Sequence, residues 1–169
     1  MHTLHYTGRY LHFVDCDGWE YVTRRNCMGV VVIFAMTTNK EWLLVEQFRK
    51  PLNSNVIECP AGLIGDNDKS ETLLDSAKRE LLEETGYKAK DWKYLFSGPS
   101  SSGLTDEIQH FYLASGCEKV TSKLGVDDEK IKLHVIPDEQ LFSFLVDQSI
   151  VDQMLIDPKL WLLGDRIKP

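Results

Sequence analysis

Glu80, Glu83 and Glu84 are the residues of this chain whose types and spacing most directly dictate chemistry. They close the run GDNDKSETLLDSAKRELLEETGY (residues 65–87), after an acidic loop and just before Gly86. Residues three and four apart on a helix are neighbours, so Glu80 and Glu84 point the same way with Glu83 beside them. Like charges at that spacing repel by roughly a few tenths of a kcal/mol per pair. A hard divalent cation reconciles such a trio, because Mg²⁺ takes oxygen ligands and neutralises them. The alternative is a solvated acidic helix face, although a helix built only for solubility would interleave lysines. The chemistry a held cation offers is neutralisation of phosphoryl charge and activation of a water.

The elements that must position these carboxylates are legible around them. Leu73, Leu74, Ala77 and Leu81 recur at helical spacing. Asp68 and Glu71 suggest a capping box at the start of that helix, and Gly86 its stop. A short strand over residues 55–59 leads into the turn Pro60-Ala61-Gly62. Residues 28–36 (MGVVVIFAM) are continuously apolar and predict a strand buried on both faces. After a polar turn at 37–40, residues 42–48 predict its antiparallel partner. Upstream, residues 9–14 and 19–23 flank an Asp-Gly turn and predict a hairpin. Further strands are expected at 92–97, 108–114 and 131–136. Two helices are expected at 138–146 and 152–163, with Pro158 kinking or dividing the second. Strands with helices packed outside them argue for an α/β or α+β sandwich.

The bulk properties are those of a globular protein: 169 residues, 43% hydrophobic and 27% charged. One domain spanning 1–169 is expected. The net charge of −7 argues against nucleic acid or membrane binding through a basic face. No window is apolar for long enough to span a membrane, and the first residues lack a signal-type apolar segment. Cys16, Cys27, Cys59 and Cys117 form no C-x-x-C pair and read as reduced, mostly buried thiols of a cytoplasmic protein. His2 and His5 offer a zinc site only by accident of folding.

The whole pattern, Gly65, five residues, Glu71, seven residues, then Arg79-Glu80-Leu81-Leu82-Glu83-Glu84-Thr85-Gly86-Tyr87, resembles the Nudix box of nucleoside-diphosphate-linked pyrophosphohydrolases. Chance would produce it at about 10⁻⁹ per start position at ordinary residue usage. Either Gly65 or Gly62 of Pro60-Ala61-Gly62 stands for the first box glycine, the latter with a three-residue loop insertion. Val45-Glu46-Gln47-Phe48-Arg49 and Glu58-Cys59-Pro60-Ala61-Gly62 are similar to the ADP-ribose and nucleotide-sugar pyrophosphatase branch, with Phe48 and Cys59 in place of tyrosine and leucine.

The resemblance implies the Nudix fold, a mixed sheet between helices, and a Mg²⁺- or Mn²⁺-dependent split of a nucleoside-diphosphate sugar. ADP-ribose, cleaved to AMP and ribose 5-phosphate, is the expected substrate. Glu80, Glu83, Glu84, the Ala61 carbonyl and Glu129 are the implied metal ligands, with Arg79 orienting a carboxylate. Glu83, Glu84, Asp127 and Glu129 are the implied catalytic acids, the aspartate at 127 being a departure from the branch's Glu-x-Glu. Arg49 and Glu58 are expected at the substrate, as is Glu107 in the loop over residues 100–107. The segment 1–25 implies a β extension that builds a homodimer and an adenine wall, where Trp19 and Tyr21 stack on a base. Another Nudix substrate (GDP-mannose, NADH or a capped RNA end) and a non-catalytic nucleotide-binding domain are the alternatives.

Overall fold

A computed structural model describes residues 2–65, 68–125, 130–164 and 167. The chain opens with β1 (His2–Thr7), β2 (Leu11–Cys16) and β3 (Trp19–Arg24), which form an antiparallel sheet of their own. The expected hairpin is thus β2–β3, with β1 added at its edge. Asp17 and Gly18 take positive φ (52° and 87°) in its turn, as a tight hairpin with right-handed twist requires.

The main sheet is mixed. β4 (Val30–Thr37) is buried along its length, as its unbroken apolar run predicts. β5 (Glu41–Arg49) runs antiparallel to it, followed by β6 (Ser54–Glu58) and β7 (Ala61–Leu63). The helix α1 (Leu73–Thr85) leads to β8 (Tyr87–Lys88), β9 (Asp91–Pro99), β10 (Ile108–Lys119) and β11 (Ile131–Pro137). α2 (Leu141–Ile150) and β12 (Leu155–Ile156) complete the set. β10 lies parallel to β4 and β12 parallel to β6; the other pairings are antiparallel.

β4 is shared on one side, pairing β5 near Ala35 and Met36 and β7 at Val30–Val32. The sheet forks there, and α1 packs over the fork. Ala77 and Leu81 of α1 join Val31, Ile33, Ala35, Leu43 and Ile64 in one apolar layer. The opposite face carries Phe34, Trp42, Leu44 and Ile57 against Leu141, Leu145 and Leu160. Each fully buried side chain of this kind contributes about 1.5–3 kcal/mol. Helical structure on both faces of a mixed sheet is the expected sandwich.

Three sequence expectations change. Thr72, not an Asp68–Glu71 box, caps α1: its hydroxyl accepts the Asp75 N–H at 3.1 Å and donates to the Asp75 carboxylate at 2.6 Å. Glu71 is drawn away to Arg79 and Ser76. The second C-terminal helix is absent: residues 152–163 instead form β12 and a 3₁₀ turn, Pro158–Leu162, capped by the Asp157 side chain. Pro158 begins that turn because it has no N–H to leave unpaired. The first C-terminal helix starts later, with Asp138–Gln140 forming a 3₁₀ turn before α2.

Candidate functional site

Helical spacing places Glu80 and Glu84 on the inner edge of α1, where both are buried (9% and 7% exposed). Strand β7 passes directly beneath them. The Ala61 N–H donates to Glu84 Oε2 at 2.9 Å. Glu80 lies so close to Gly62 that a methyl group at residue 62 would come within 1.9 Å of its carboxylate. Gly62 is therefore the glycine that a box carboxylate needs for close approach. Gly65 serves another purpose: its N–H supports the Glu71 carboxylate.

Arg79 is the hub of this edge. Its Nε donates to Glu71 Oε1 at 2.9 Å, and Nη1 to Glu80 Oε1 at 2.7 Å and Glu83 Oε2 at 3.1 Å. Nη2 reaches the Leu63 carbonyl at 3.1 Å. The planar fork suits this, since one guanidinium satisfies several acceptors at fixed angles. The hydrogen bond to Glu71, and the charge of Glu80, hold Arg79 even more firmly protonated than usual. Reciprocally, Arg79 holds the Glu71 carboxyl below its ordinary value, outweighing burial. Glu71, Glu80 and Glu83 contact the guanidinium and Glu84 shares the helix edge with Glu80, so the five groups carry a formal charge of −3.

That donor set fits a hard divalent cation. The donors are carboxylate oxygens, the charge is in excess, and a side-chain-free residue makes the approach possible. Among the described residues no three His, Cys, Asp or Glu side chains form a ready-made chelate. Mg²⁺ does not require one, because it binds through one or two carboxylates and retains waters.

Strand alternation places Arg49 and Glu58 on the α1 side of the sheet with Leu43 and Val45, since Val45 pairs Glu58. They pair with each other, Arg49 Nε to Glu58 Oε2 at 2.6 Å. Glu107 is tied to Arg24 of β3, and the Trp19 indole N–H donates to the Gly103 carbonyl at 3.3 Å. The Val22 N–H also reaches the Leu104 carbonyl at 2.9 Å. The N-terminal sheet is thereby stitched to the 100–107 loop. Trp19 is 62% exposed. Asp127 and Glu129 lie outside the described residues.

Two features escaped sequence reasoning. One is a cleft of about 270 Å³ walled by Arg9, Tyr10, Arg24 and Arg25 and floored by Leu63, the residue whose carbonyl holds Arg79. Its sequence signal is an Arg-Arg doublet in an acidic chain. The other is Glu46, on the opposite face of the sheet and only 8% exposed. It accepts from Lys132 Nζ and His134 Nε2, each at 2.9 Å, and from Asn55 Nδ2 at 3.0 Å. Burial pushes its carboxyl up, but Lys132 and His134 bring it below its ordinary value. A glutamate interrupting an apolar strand was the available signal.

The model of the NUDIX domain matches residues 25–152 of the chain. The chain belongs to the Nudix family. The Arg79-centred cluster on α1 lies inside the matched region, which begins just after β3. The chain is 34% identical over 125 residues to an ADP-ribose pyrophosphatase of Bacillus subtilis, covering 73% of this chain and 66% of that protein. It is 35% identical over 132 residues to a GDP-mannose pyrophosphatase of Yersinia enterocolitica, covering 73% and 67%. A methanol dehydrogenase activator of Bacillus methanolicus is 35% identical over 129 residues, covering 76% and 68%. The crystal structure of an ADP compounds hydrolase shares the fold with a TM-score of 0.68 at 17% identity, over 87% of this chain and 81% of that one. Nudix hydrolases generally need divalent metal ions.

Proposed function

We propose that this Nudix hydrolase splits the pyrophosphate bond of a nucleoside-diphosphate sugar, ADP-ribose first, releasing AMP and ribose 5-phosphate. The observation that carries the reading is the acid-rich Arg79 cluster packed on β7, beside an arginine-walled cleft in an otherwise acidic chain. The relatives named for ADP-ribose and GDP-mannose support the substrate class. GDP-mannose is the second reading, because that relative is 35% identical against 34% for the ADP-ribose one.

Glu80, Glu84 and the Ala61 carbonyl hold Mg²⁺ or Mn²⁺, with Glu83 as a further ligand or support. When bound, the ion neutralises phosphoryl oxygens and makes a water more acidic. Arg79 fixes Glu80 and Glu83 so that their oxygens need no rearrangement. Glu83, Glu84, Asp127 and Glu129 are the candidate bases, and Glu129 a further metal ligand. Arg49, anchored through Nε on Glu58, keeps its terminal nitrogens for a diphosphate oxygen. Arg9, Arg24 and Arg25 draw the anionic substrate into the cleft. Trp19 stacks on the base, with Tyr21 behind it, and Glu107 holds the loop through Arg24.

The chain acts as one Nudix domain over 1–169, with residues 1–25 as a β extension on the 26–169 core. Leu4, Tyr6 and Leu11, exposed on the N-terminal sheet, support pairing in a homodimer. No helix among the described residues is long and apolar enough to cross a membrane. The free cysteines suit a cytoplasmic, reducing setting. A panel of ADP-ribose, GDP-mannose, NADH and capped RNA with Mg²⁺, with products identified, tests the reading. AMP from ADP-ribose at the highest kcat/KM is expected; GMP from GDP-mannose as the leading product selects the second reading, and no hydrolysis of any of them defeats both.

A further inference from the structure

The arginine-walled cleft beside β7 holds more positive charge than a diphosphate bound at α1 uses. It encloses about 270 Å³, and its described lining contains three arginines and no carboxylate, in a chain of net charge −7. Arg24 is paired, through Nε, with Glu107. Arg25 Nη1 donates to the Gly8 carbonyl at 3.0 Å and the Arg25 N–H to the Tyr10 carbonyl at 3.1 Å, which fixes the end of β3 against the β1–β2 turn. Arg9 lies over the Tyr10 ring, 5.0 Å from its centroid. A neutral carbonyl and a ring face cancel neither charge, and they leave most of the N–H groups of both guanidiniums unspent among the described residues. Three guanidiniums against the one carboxylate of Glu107 give a formal charge of +2. The diphosphate is met by the ion on α1 and by Arg49, so the charge of the cleft calls for a counter-charge of its own.

We infer that the cleft binds a second anion of the same ligand, a phosphate monoester on the nucleoside ribose. Such a group carries about −1.5 to −2 charges at neutral pH and three strong acceptor oxygens, which matches the cleft in charge and in donors. Guanidinium forks hold phosphate oxygens in pairs, at fixed angles. The position fits as well. Leu63 forms the floor, and its carbonyl accepts from Arg79 Nη2 at 3.1 Å, so the cleft adjoins the carboxylate cluster across a single residue of β7. One substrate can therefore span both, with its diphosphate at α1 and its monoester one sugar ring away. The preferred substrate is then a nucleoside-diphosphate sugar phosphorylated on its nucleoside ribose, and Arg9 and Arg25 determine that specificity. This substrate class rests on the hydrolase reading above, whereas the phosphate site does not.

Calorimetry on the full chain at fixed ionic strength compares adenosine 2′,5′-bisphosphate with AMP, neither of which has a pyrophosphate bond to cut. The bisphosphate is expected to bind at least about tenfold tighter. Arg9→Gln and Arg25→Gln together should bring the two affinities to within about twofold of each other, and each alone part of the way, with thermal melts confirming that the variants fold. Lys88→Gln, at the other end of β10, should leave the preference intact, which separates a built site from general attraction. Equal affinity for the two nucleotides, or a preference that survives the double variant, overturns the site. Hydrolysis with Mg²⁺ then reads the substrate class: 2′-phospho-ADP-ribose should exceed ADP-ribose in kcat/KM, mainly through KM. Cleavage of both without preference overturns the monoester as a specificity element and leaves the hydrolase reading standing. A bisphosphate preference with neither compound cleaved defeats the hydrolase reading and leaves the site.

Discussion

Two polar hubs lie on opposite faces of the same sheet, and they differ in the ratio of charges. On the α1 face one arginine, Arg79, is surrounded by acids; on the other face one acid, Glu46, is surrounded by donors, two of them basic. The materials are alike and the burial is similar. The first hub retains excess negative charge, which a divalent ion can complete. The second is already satisfied and fastens β5 to β11 and β6. A charged cluster thus signals chemistry through its imbalance, and structure through its balance.

The sharpest way to break this contrast is Glu84→Gln. The amide oxygen still accepts the Ala61 N–H, so metal-free stability should stay within about 0.5 kcal/mol. Turnover should fall by at least about 10²-fold while substrate binding survives, read from kcat and calorimetry. Unaltered turnover would remove Glu84 from the metal site. Arg79→Ala comes next, lowering kcat by roughly 10–100-fold through misplaced carboxylates. It should also enlarge the thermal stabilisation by Mg²⁺, because the ion then replaces the missing cation; thermal melts with and without Mg²⁺ check this.

Glu46→Gln should do the reverse, costing about 1–3 kcal/mol in urea unfolding while leaving kcat within about twofold. A large loss of kcat there would undo the distinction between the hubs. The smallest effect concerns pH. Glu46 and Glu71 both ionise below the ordinary 4.5 when folded. The stability they add is therefore fully present above 4.5 and lost as pH falls through their folded values. Glu46→Gln should flatten that acid limb, measured as unfolding free energy between about pH 5 and 3.

The site was more legible than its surroundings. Glu80, Glu83 and Glu84 could be read because helical spacing fixes which side chains meet, and Arg79 shares their helix. Glu71 reads as a cap because short-range spacing favours that role; its contact with Arg79 spans the N-cap Thr72 and the first turns of α1, beyond the reach of a capping pattern. The strands at the centre declared themselves through unbroken apolar runs. β1 did not, since HTLHYT offers mixed polar residues and every one of them is exposed. The lost C-terminal helix shows the same limit: residues 152–163 have helix-like apolar spacing, but parallel pairing of Leu155 and Ile156 with β6 outweighs it. The Arg24–Glu107 tie joins residues far apart in sequence, which no local pattern reports.

Gly62 bears on how silent copies of such an enzyme would be recognised. A single added carbon there would push Glu80 out of place while every acid remained spelled correctly in the gene. Inventories that score activity by counting intact carboxylates would pass such a chain as competent. The decisive mark of a working copy includes an empty position, one that must stay bare for its neighbour to be useful.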